Sequence, residues 1–337
     1  MSPVLPPALR PGDLVAVISP ANPAAAFLTA EVDRGIAALE ALGFRVRMMP
    51  NARARRRWTA GTIAERLDDL HAALVDPEVK AVLYAIGGEH SIQLLPGLDM
   101  DLVRAHPKAI IGYSDATTLL TAIHEETGLV TYYGPALIPQ FGELPTPYDE
   151  TSEHFVRVLS HPEAPGPLPT IDYQVVDLDF GRREREQRPR DRTPAPPRRV
   201  LRAGAGEGPA LAACLPSLTS LLGTRWSPDL RGRVLFLETP EPPYTPATAD
   251  ADLWHLRTAG LLDGLAALVL GRPLGWSEEQ TTDFYDALME AVEDGDYPVL
   301  AEVEFGHTNP ILTIPNGVRT AVDGTSVSLL GPAVAGE

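Results

Sequence analysis

Ala109-Ile-Ile-Gly112-Tyr-Ser114-Asp115-Ala-Thr-Thr-Leu-Leu120 is the stretch on which the fold turns. An unbroken apolar run ends in a tight Tyr-Ser-Asp junction and passes straight into a helix-forming segment, which reads as a buried strand, a turn and a helix. The same rhythm continues upstream. Ala81 to Ile86 is another apolar run, closed by Gly87-Gly88. Before it, Thr62-Ile-Ala-Glu65 fits a capping box, and Ile63, Leu67, Leu70 and Leu74 place one apolar face on the helix it opens. Phe44 to Met48 alternates like a strand, and Val32, Ile36, Leu39 and Leu42 recur at helical spacing with Gly43 as the stop. The first strand, Leu14 to Ile18, runs into a Ser-Pro-Ala-Asn-Pro loop. Strands alternating with helices predict an α/β domain with a parallel sheet covered on both faces, where ligands gather at the carboxyl ends of the strands. Gly87, Gly88 and Ser114 fall on that edge.

Downstream the pattern fails from about Pro162 to Gly208. Residues 182–202 hold nine arginines against Glu184, Glu186 and Asp191, interleaved with prolines. This composition predicts a solvated linker, or a loop that folds over an anionic ligand or over the acidic remainder of the protein. It divides the chain into residues 1–165, a connecting segment 166–207, and residues 208–337. The last part shows strand-like Leu235 to Glu238 and Ala266 to Gly271, a helix near 281–293 carrying Phe284, Leu288, Ala291 and Val292, and a β-rich tail from Thr308 to Leu330.

Composition narrows the function. With 28 basic and 45 acidic residues in 337, the net charge of −17 argues against nucleic acid or an anionic membrane as the partner. Cys214 is the single cysteine, which excludes a disulfide framework and a multi-cysteine metal site. Neither a run of about 18 apolar residues nor an apolar stretch in the opening MSPVLPPALRPGD is present, so a cytoplasmic protein is expected. A Walker-type glycine loop, an H-E-x-x-H motif and a G-x-G-x-x-G after the first strand are also missing. The eight histidines, among them His154 and His161, lack metal-ligand spacing.

Three residues carry candidate chemistry. Ser114 sits where a strand-to-helix turn lifts a hydroxyl out of a sheet, as in a nucleophile elbow, with the Asp115 N–H directed into the same space. The bland alternative is that it caps the following helix. His307, in Phe305-Gly-His-Thr-Asn-Pro310, follows a strand-like run in a turn-rich segment and suits a general base. Glu238 closes the run Val234 to Leu237, where a buried carboxylate is costly unless paired. Alone it is more often a structural cap or salt-bridge partner.

Together these segments form a recognisable series. Leu9-Arg-Pro-Gly-Asp-Leu-Val-Ala-Val-Ile-Ser-Pro-Ala21, Gly87-Gly88-Glu-His-Ser91, Pro107-Lys-Ala-Ile-Ile-Gly-Tyr-Ser-Asp-Ala-Thr-Thr-Leu119 with Tyr133-Gly-Pro-Ala136, Leu235-Phe-Leu-Glu238 and Gly306-His-Thr-Asn-Pro310 resemble, in order, the landmarks of the LD-carboxypeptidase family of serine peptidases. The resemblance spans about residues 9–323. It implies a flavodoxin-like N-terminal α/β domain, a smaller β-rich C-terminal domain and an active site between them. It further implies Ser114 as nucleophile, His307 as general base, Glu238 as the residue orienting it, and the backbone amides of Gly88 and Asp115 as the oxyanion hole. No metal or other cofactor is implied, and a cytoplasmic homodimer acting on a small peptide or peptide-like substrate is.

One branch of the family trims muropeptide tetrapeptides; another, the microcin C immunity peptidases, hydrolyses aminoacyl-nucleotides. The chain length and long connecting segment lean toward the second. Against this, Gly208-Pro-Ala-Leu-Ala-Ala-Cys-Leu-Pro-Ser-Leu218 replaces the family's usual Gly-Gly-Asn-Leu segment. Between 173 and 202 the aromatics are only Tyr173 and Phe180, whereas the immunity branch often places a Trp there to stack on the base. The arginines of 182–202 are therefore expected to close over an anionic group, and a carboxylate-bearing peptide to be preferred over an aminoacyl-adenylate. A non-catalytic relative that only binds such ligands is the alternative.

Overall fold

The computed structural model describes residues 3–175 and 188–336. Its first sheet is laid down by β1 (Leu14–Ile18), β2 (Arg45–Met48), β3 (Val79–Tyr84), β4 (Ala109–Gly112) and β5 (Tyr132–Tyr133). They pair in parallel in the order β5-β4-β3-β1-β2, the doubly wound arrangement of flavodoxin-like domains. Strands buried on both faces read as continuous apolar runs, which is why β1, β3 and β4 stood out in the sequence. Helices α1 (Thr29–Ala41), α2 (Ile63–Val75), α3 (Met100–Ala105) and α4 (Ala116–Thr127) supply the crossovers. Thr62 and Glu65 exchange hydrogen bonds at the start of α2, so two of its orphan N–H groups are satisfied.

The next strands are β6 (Gly166–Pro167), β7 (Tyr173–Gln174), β8 (Thr193–Pro194), β9 (Arg199–Arg202), β10 (Ala205–Cys214), β11 (Val234–Glu238), β12 (Ala267–Gly271) and β13 (Val299–Val303). The last three are β14 (Ile314–Pro315), β15 (Arg319–Asp323) and β16 (Ser326–Leu329). A second, eight-stranded sheet runs β6-β16-β15-β10-β11-β12-β13-β9, with a parallel centre from β10 to β13 and antiparallel flanks. Period-two alternation gives this sheet two buried faces. Leu211, Leu235, Leu268 and Leu270 pack against Leu253 and Leu288 of helices Pro246–Thr258 and Glu278–Ala291. Ala210, Ala212, Cys214 and Phe236 point the other way and join Val15, Leu83 and Ile111 in one core shared by both halves. The sheet-rich C-terminal half thus carries helices of its own, one of which, Pro246–Thr258, left no clear periodic signal in the sequence.

Two features knit the halves together. β14 returns from the far end of the chain and pairs antiparallel with β5, completing the first sheet. Buried ion pairs fasten the connecting segment: Glu304 holds Arg198 at 2.6 Å and Arg272 at 3.1 Å, and Glu143 pairs with Arg190. Arg192 lies over the rings of Tyr173 and Tyr148, at 4.3 and 5.2 Å from their centroids. Among the described residues, no helix is long and apolar enough to cross a membrane.

Candidate active site

The loops at the carboxyl ends of β1, β3 and β4 meet the carboxyl ends of β10 and β11 around a cleft of about 690 Å³. That volume suits a ligand of dipeptide or nucleoside size. β4 ends at Gly112, and Ser114 takes a left-handed backbone conformation with φ of 62° before α4 begins. A non-glycine residue held at positive φ stores strain of about 1–3 kcal/mol and persists only where its surroundings impose it. Here the Ser114 N–H donates to the Tyr133 hydroxyl at 2.8 Å. Ser114 does not serve as the side-chain cap of α4; Asp115 occupies the N-cap position, without a side-chain cap bond.

Three groups that lie far apart in the chain converge here. His307 Nε2 is 3.1 Å from Ser114 Oγ, and His307 Nδ1 is 2.7 Å from Glu238 Oε2. The same Oε2 accepts from the His307 backbone N–H at 3.2 Å, and the Tyr133 hydroxyl donates to Oε1. Glu238 is therefore ringed by donors, as a buried carboxylate requires. Gly306 makes this possible: at φ of 86°, a Cβ on it would fall 2.5 Å from Glu238 Cγ. The ring of Tyr113 stacks edge-on against His307 with centroids 4.9 Å apart. Burial by itself lowers the basicity of His307; the charge and hydrogen bond of Glu238, with a smaller push from Glu241, outweigh it and raise the imidazole above its ordinary range.

Gly88, at φ of 146°, lies across the cleft floor, and a Cβ there would meet Ala21 Cβ at 2.8 Å and Asn22 N at 2.9 Å. Among the described residues, neither the Gly88 nor the Asp115 N–H donates a hydrogen bond. The Asp115 side chain is buried and accepts from the N–H groups of His90 and Ser91 at 2.9 and 2.8 Å, which fixes the turn after Gly87-Gly88 against the start of α4. Burial shifts that carboxyl upward.

Four residues at the site were given no role there by the sequence reading, although it quoted Tyr133 in a landmark and counted Cys214. Tyr133 bridges Ser114 and Glu238. Glu241 places Oε2 at 3.2 Å from His307 Nε2. Cys214 ends β10 and lines the cleft, its thiol pushed well above the ordinary range by burial. Its sulfur and the ligand atoms of Glu238 and His307 lie within 4.8 Å of one another, a set that a soft divalent cation could take only by parting Glu238 from His307. Trp58 lines the cleft with 58% of its surface exposed, its ring 6.1 Å from that of His90. A spacing argument finds none of them, because packing brings each one in.

Among the described residues the connecting segment makes no arginine clamp over the cleft; Arg190 and Arg198 instead meet acidic groups of the rest of the protein, the other arrangement its charge allowed. Among the described residues lining the cleft there is no Arg or Lys. Arg190, Arg192 and Arg198 are bound to Glu143, the Tyr148–Tyr173 pair and Glu304, and Arg202 reaches the Val292 carbonyl. Partners distant in sequence, invisible to a local charge count, claim them. Arg182, Arg183, Arg185 and Phe180 lie outside the described residues. Tyr173 is not a cleft residue either; its hydroxyl donates to Glu150 at 2.7 Å. The exposed aromatic face comes instead from Trp58 in the N-terminal half.

Comparison with known proteins agrees with this architecture. Residues 15–134 match the LD-carboxypeptidase N-terminal domain, and residues 207–322 match the LD-carboxypeptidase C-terminal domain. The microcin C7 self-immunity protein MccF of Escherichia coli is 32% identical over 333 residues, covering 95% of this chain and 93% of its own. A probable murein peptide carboxypeptidase of Bacillus subtilis is 32% identical over 324 residues, covering 94% and 91%. The solved structure of MccF in complex with aspartyl sulfamoyl adenosine superposes with a TM-score of 0.90 at 31% identity, covering 99% of this chain and 100% of that one. The chain belongs to the LD-carboxypeptidase family of serine peptidases.

Proposed function

We propose that this carboxypeptidase-family hydrolase cleaves a small peptide-like amide through Ser114, His307 and Glu238 by way of an acyl-enzyme. The observation that supports this most directly is the pair of contacts on one imidazole, 3.1 Å from Nε2 to Ser114 Oγ and 2.7 Å from Nδ1 to Glu238 Oε2. Ser114 Oγ attacks the scissile carbonyl carbon while its proton passes to Nε2, and Glu238 accepts from Nδ1–H and stabilises the imidazolium. The N–H groups of Gly88 and Asp115 receive the developing oxyanion. His307 then gives its proton to the departing amine nitrogen, leaving an ester on Ser114. Water attacks that ester, losing its proton to Nε2, and the proton returns to Oγ as the acid leaves. The cleft is formed where residues 1–165 and 208–337 meet, and we read these as the two domains.

Ser114→Ala and His307→Ala are each expected to lower turnover by about 10³-fold or more while circular dichroism and denaturation midpoints hold. Wild-type rates in either purified variant would overturn the assignment.

Trp58 supports a second reading of the leaving group. An exposed indole beside His90 offers a planar ligand a stacking surface, worth about 1–3 kcal/mol for a nucleobase. Comparing kcat/KM for an L,D-tetrapeptide and for an aminoacyl sulfamoyl adenosine, in wild type and Trp58→Ala, separates the two. A nucleoside substrate loses about tenfold or more in the variant, and a tetrapeptide does not.

A further inference from the structure

Glu241 is misplaced for a residue with no task. Its Oε2 lies 3.2 Å from His307 Nε2, the nitrogen that also faces Ser114 Oγ at 3.1 Å. That oxygen is buried and has no hydrogen-bond partner, while 42% of the side chain as a whole is exposed. The segment that carries it, Pro240-Glu-Pro-Pro-Tyr244, is stiffened by three prolines, and the Tyr244 N–H donates to the Glu241 carbonyl at 3.3 Å. The main chain that carries it is therefore restrained.

A carboxylate against Nε2 favours the imidazolium, the form that cannot accept the proton of Ser114. Left alone it opposes the base. A cation arriving in the cleft would give the carboxylate a different partner. No Arg or Lys among the described lining residues can serve, and Glu89 also lines the cleft. Among the described residues nothing supplies that cation, which points to the ligand as its source.

Resting on the hydrolase reading above, we propose that Glu241 is the receptor for a protonated amine on the acyl side of the substrate, and that capturing this amine draws the carboxylate off His307. In an amino acid amide the ammonium nitrogen stands only ~2.5 Å from the carbonyl carbon by ordinary bond lengths and angles. The Glu241 carboxylate is two contact lengths from Ser114 Oγ, so a carbonyl approached by Oγ brings an α-ammonium within reach of an ion pair. The substrate class is aminoacyl amides with a free amine. The same contact explains selectivity and readiness together, because only a substrate that satisfies Glu241 frees Nε2 to act.

The test uses size-matched pairs that differ only in this charge: alanyl-D-alanine against lactyl-D-alanine, and alanyl sulfamoyl adenosine against its lactyl counterpart. Calorimetric binding is measured on Ser114→Ala, which keeps the ligands intact, and on Ser114→Ala with Glu241→Gln. The ammonium form is expected to bind the single variant about tenfold more tightly or better, and the double variant is expected to bind both forms alike. Equal binding of the two forms by the single variant, retention of the preference in the double variant, or no binding of the ammonium form on either scaffold overturns the proposal. Failure of the hydrolase reading shows separately, as turnover by Ser114→Ala, and leaves this difference in binding untouched.

Discussion

Replacing Tyr133 by Phe removes one oxygen from between Ser114 and Glu238. The ring stays: its edge contacts with Tyr113 and Phe305, both at 6.4 Å between centroids, are made by carbon. What is lost is the acceptor for the Ser114 N–H at 2.8 Å and the donor to Glu238 Oε1. Tyr133 is buried, and burial with the neighbouring carboxylate holds its phenol well above the ordinary range, so the hydroxyl is a donor at every working pH. A neutral hydrogen bond contributes about 1 kcal/mol and one to a charged group about 1.5–3, so the variant should lose about 2.5–4 kcal/mol of stability.

The loss in Tyr133→Phe falls on the strained turn. Without its acceptor, Ser114 is released from a conformation that costs about 1–3 kcal/mol to hold, and Oγ drifts from Nε2. We expect kcat to fall by about 10–100-fold with a much smaller change in KM. A merely structural tyrosine would not move the pH profile; this one should. Without that donor the charge of Glu238 bears more fully on His307 Nδ1 and holds the imidazolium at higher pKa, so the acid limb of kcat/KM shifts upward. Urea denaturation, steady-state kinetics and the pH profile together decide the matter. A variant with unchanged kcat, or an acid limb that moves downward, would refute the reasoning.

In the wild type the raised basicity of His307 puts the rise of kcat/KM at a pH above the ordinary histidine range of about 6.5, because turnover needs the neutral ring. Of the groups facing that ring, Glu238 and Glu241 raise it and Tyr113 is uncharged, so Glu241→Gln should move the limb back toward lower pH. His154, buried and held to a pKa of about 3, accepts from the Thr313 N–H at 3.1 Å. A depressed histidine supplies stability that is whole above the unfolded value of about 6.5 and is lost as pH falls toward 3. The acid-induced drop in denaturation midpoint between those limits should therefore shrink in His154→Gln, measured by urea unfolding at stepped pH.

Particular residues show what the sequence could and could not disclose. Ser114 was legible because an apolar run ends abruptly in a serine and a helix starts two residues later; strand, turn and helix are local facts. The capping box at Thr62 was legible for the same reason. Glu238 and His307 each ended or followed a strand-like run, yet only the ordered resemblance joined them to Ser114. Glu241 and Trp58 stayed hidden and Tyr133 was quoted without a role, since their meaning lies in contacts across 105 residues for Tyr133 with Glu238 and 66 positions for Glu241 with His307. For the arginines of the connecting segment, local charge density could not choose between a ligand and the protein's own acidic groups; of the described ones, Arg190 and Arg198 take Glu143 and Glu304.

The pairing of β5 with β14 also sets a timetable. A chain made from its amino end exposes Ser114 while most of the polypeptide is still to come, and domains fold as they emerge. At that stage the serine has neither base nor orienting carboxylate, and the Tyr132–Tyr133 edge of the sheet is open. An open edge invites other strands, so the interval is hazardous for the chain itself. Only when Ile314–Pro315 docks does the edge close, and His307 lies just seven residues ahead of that strand. On the mechanism proposed above, closing the sheet and arming the nucleophile are thus one late event, and a nascent, truncated or degraded chain lacking its last portion would carry a serine that cannot cut.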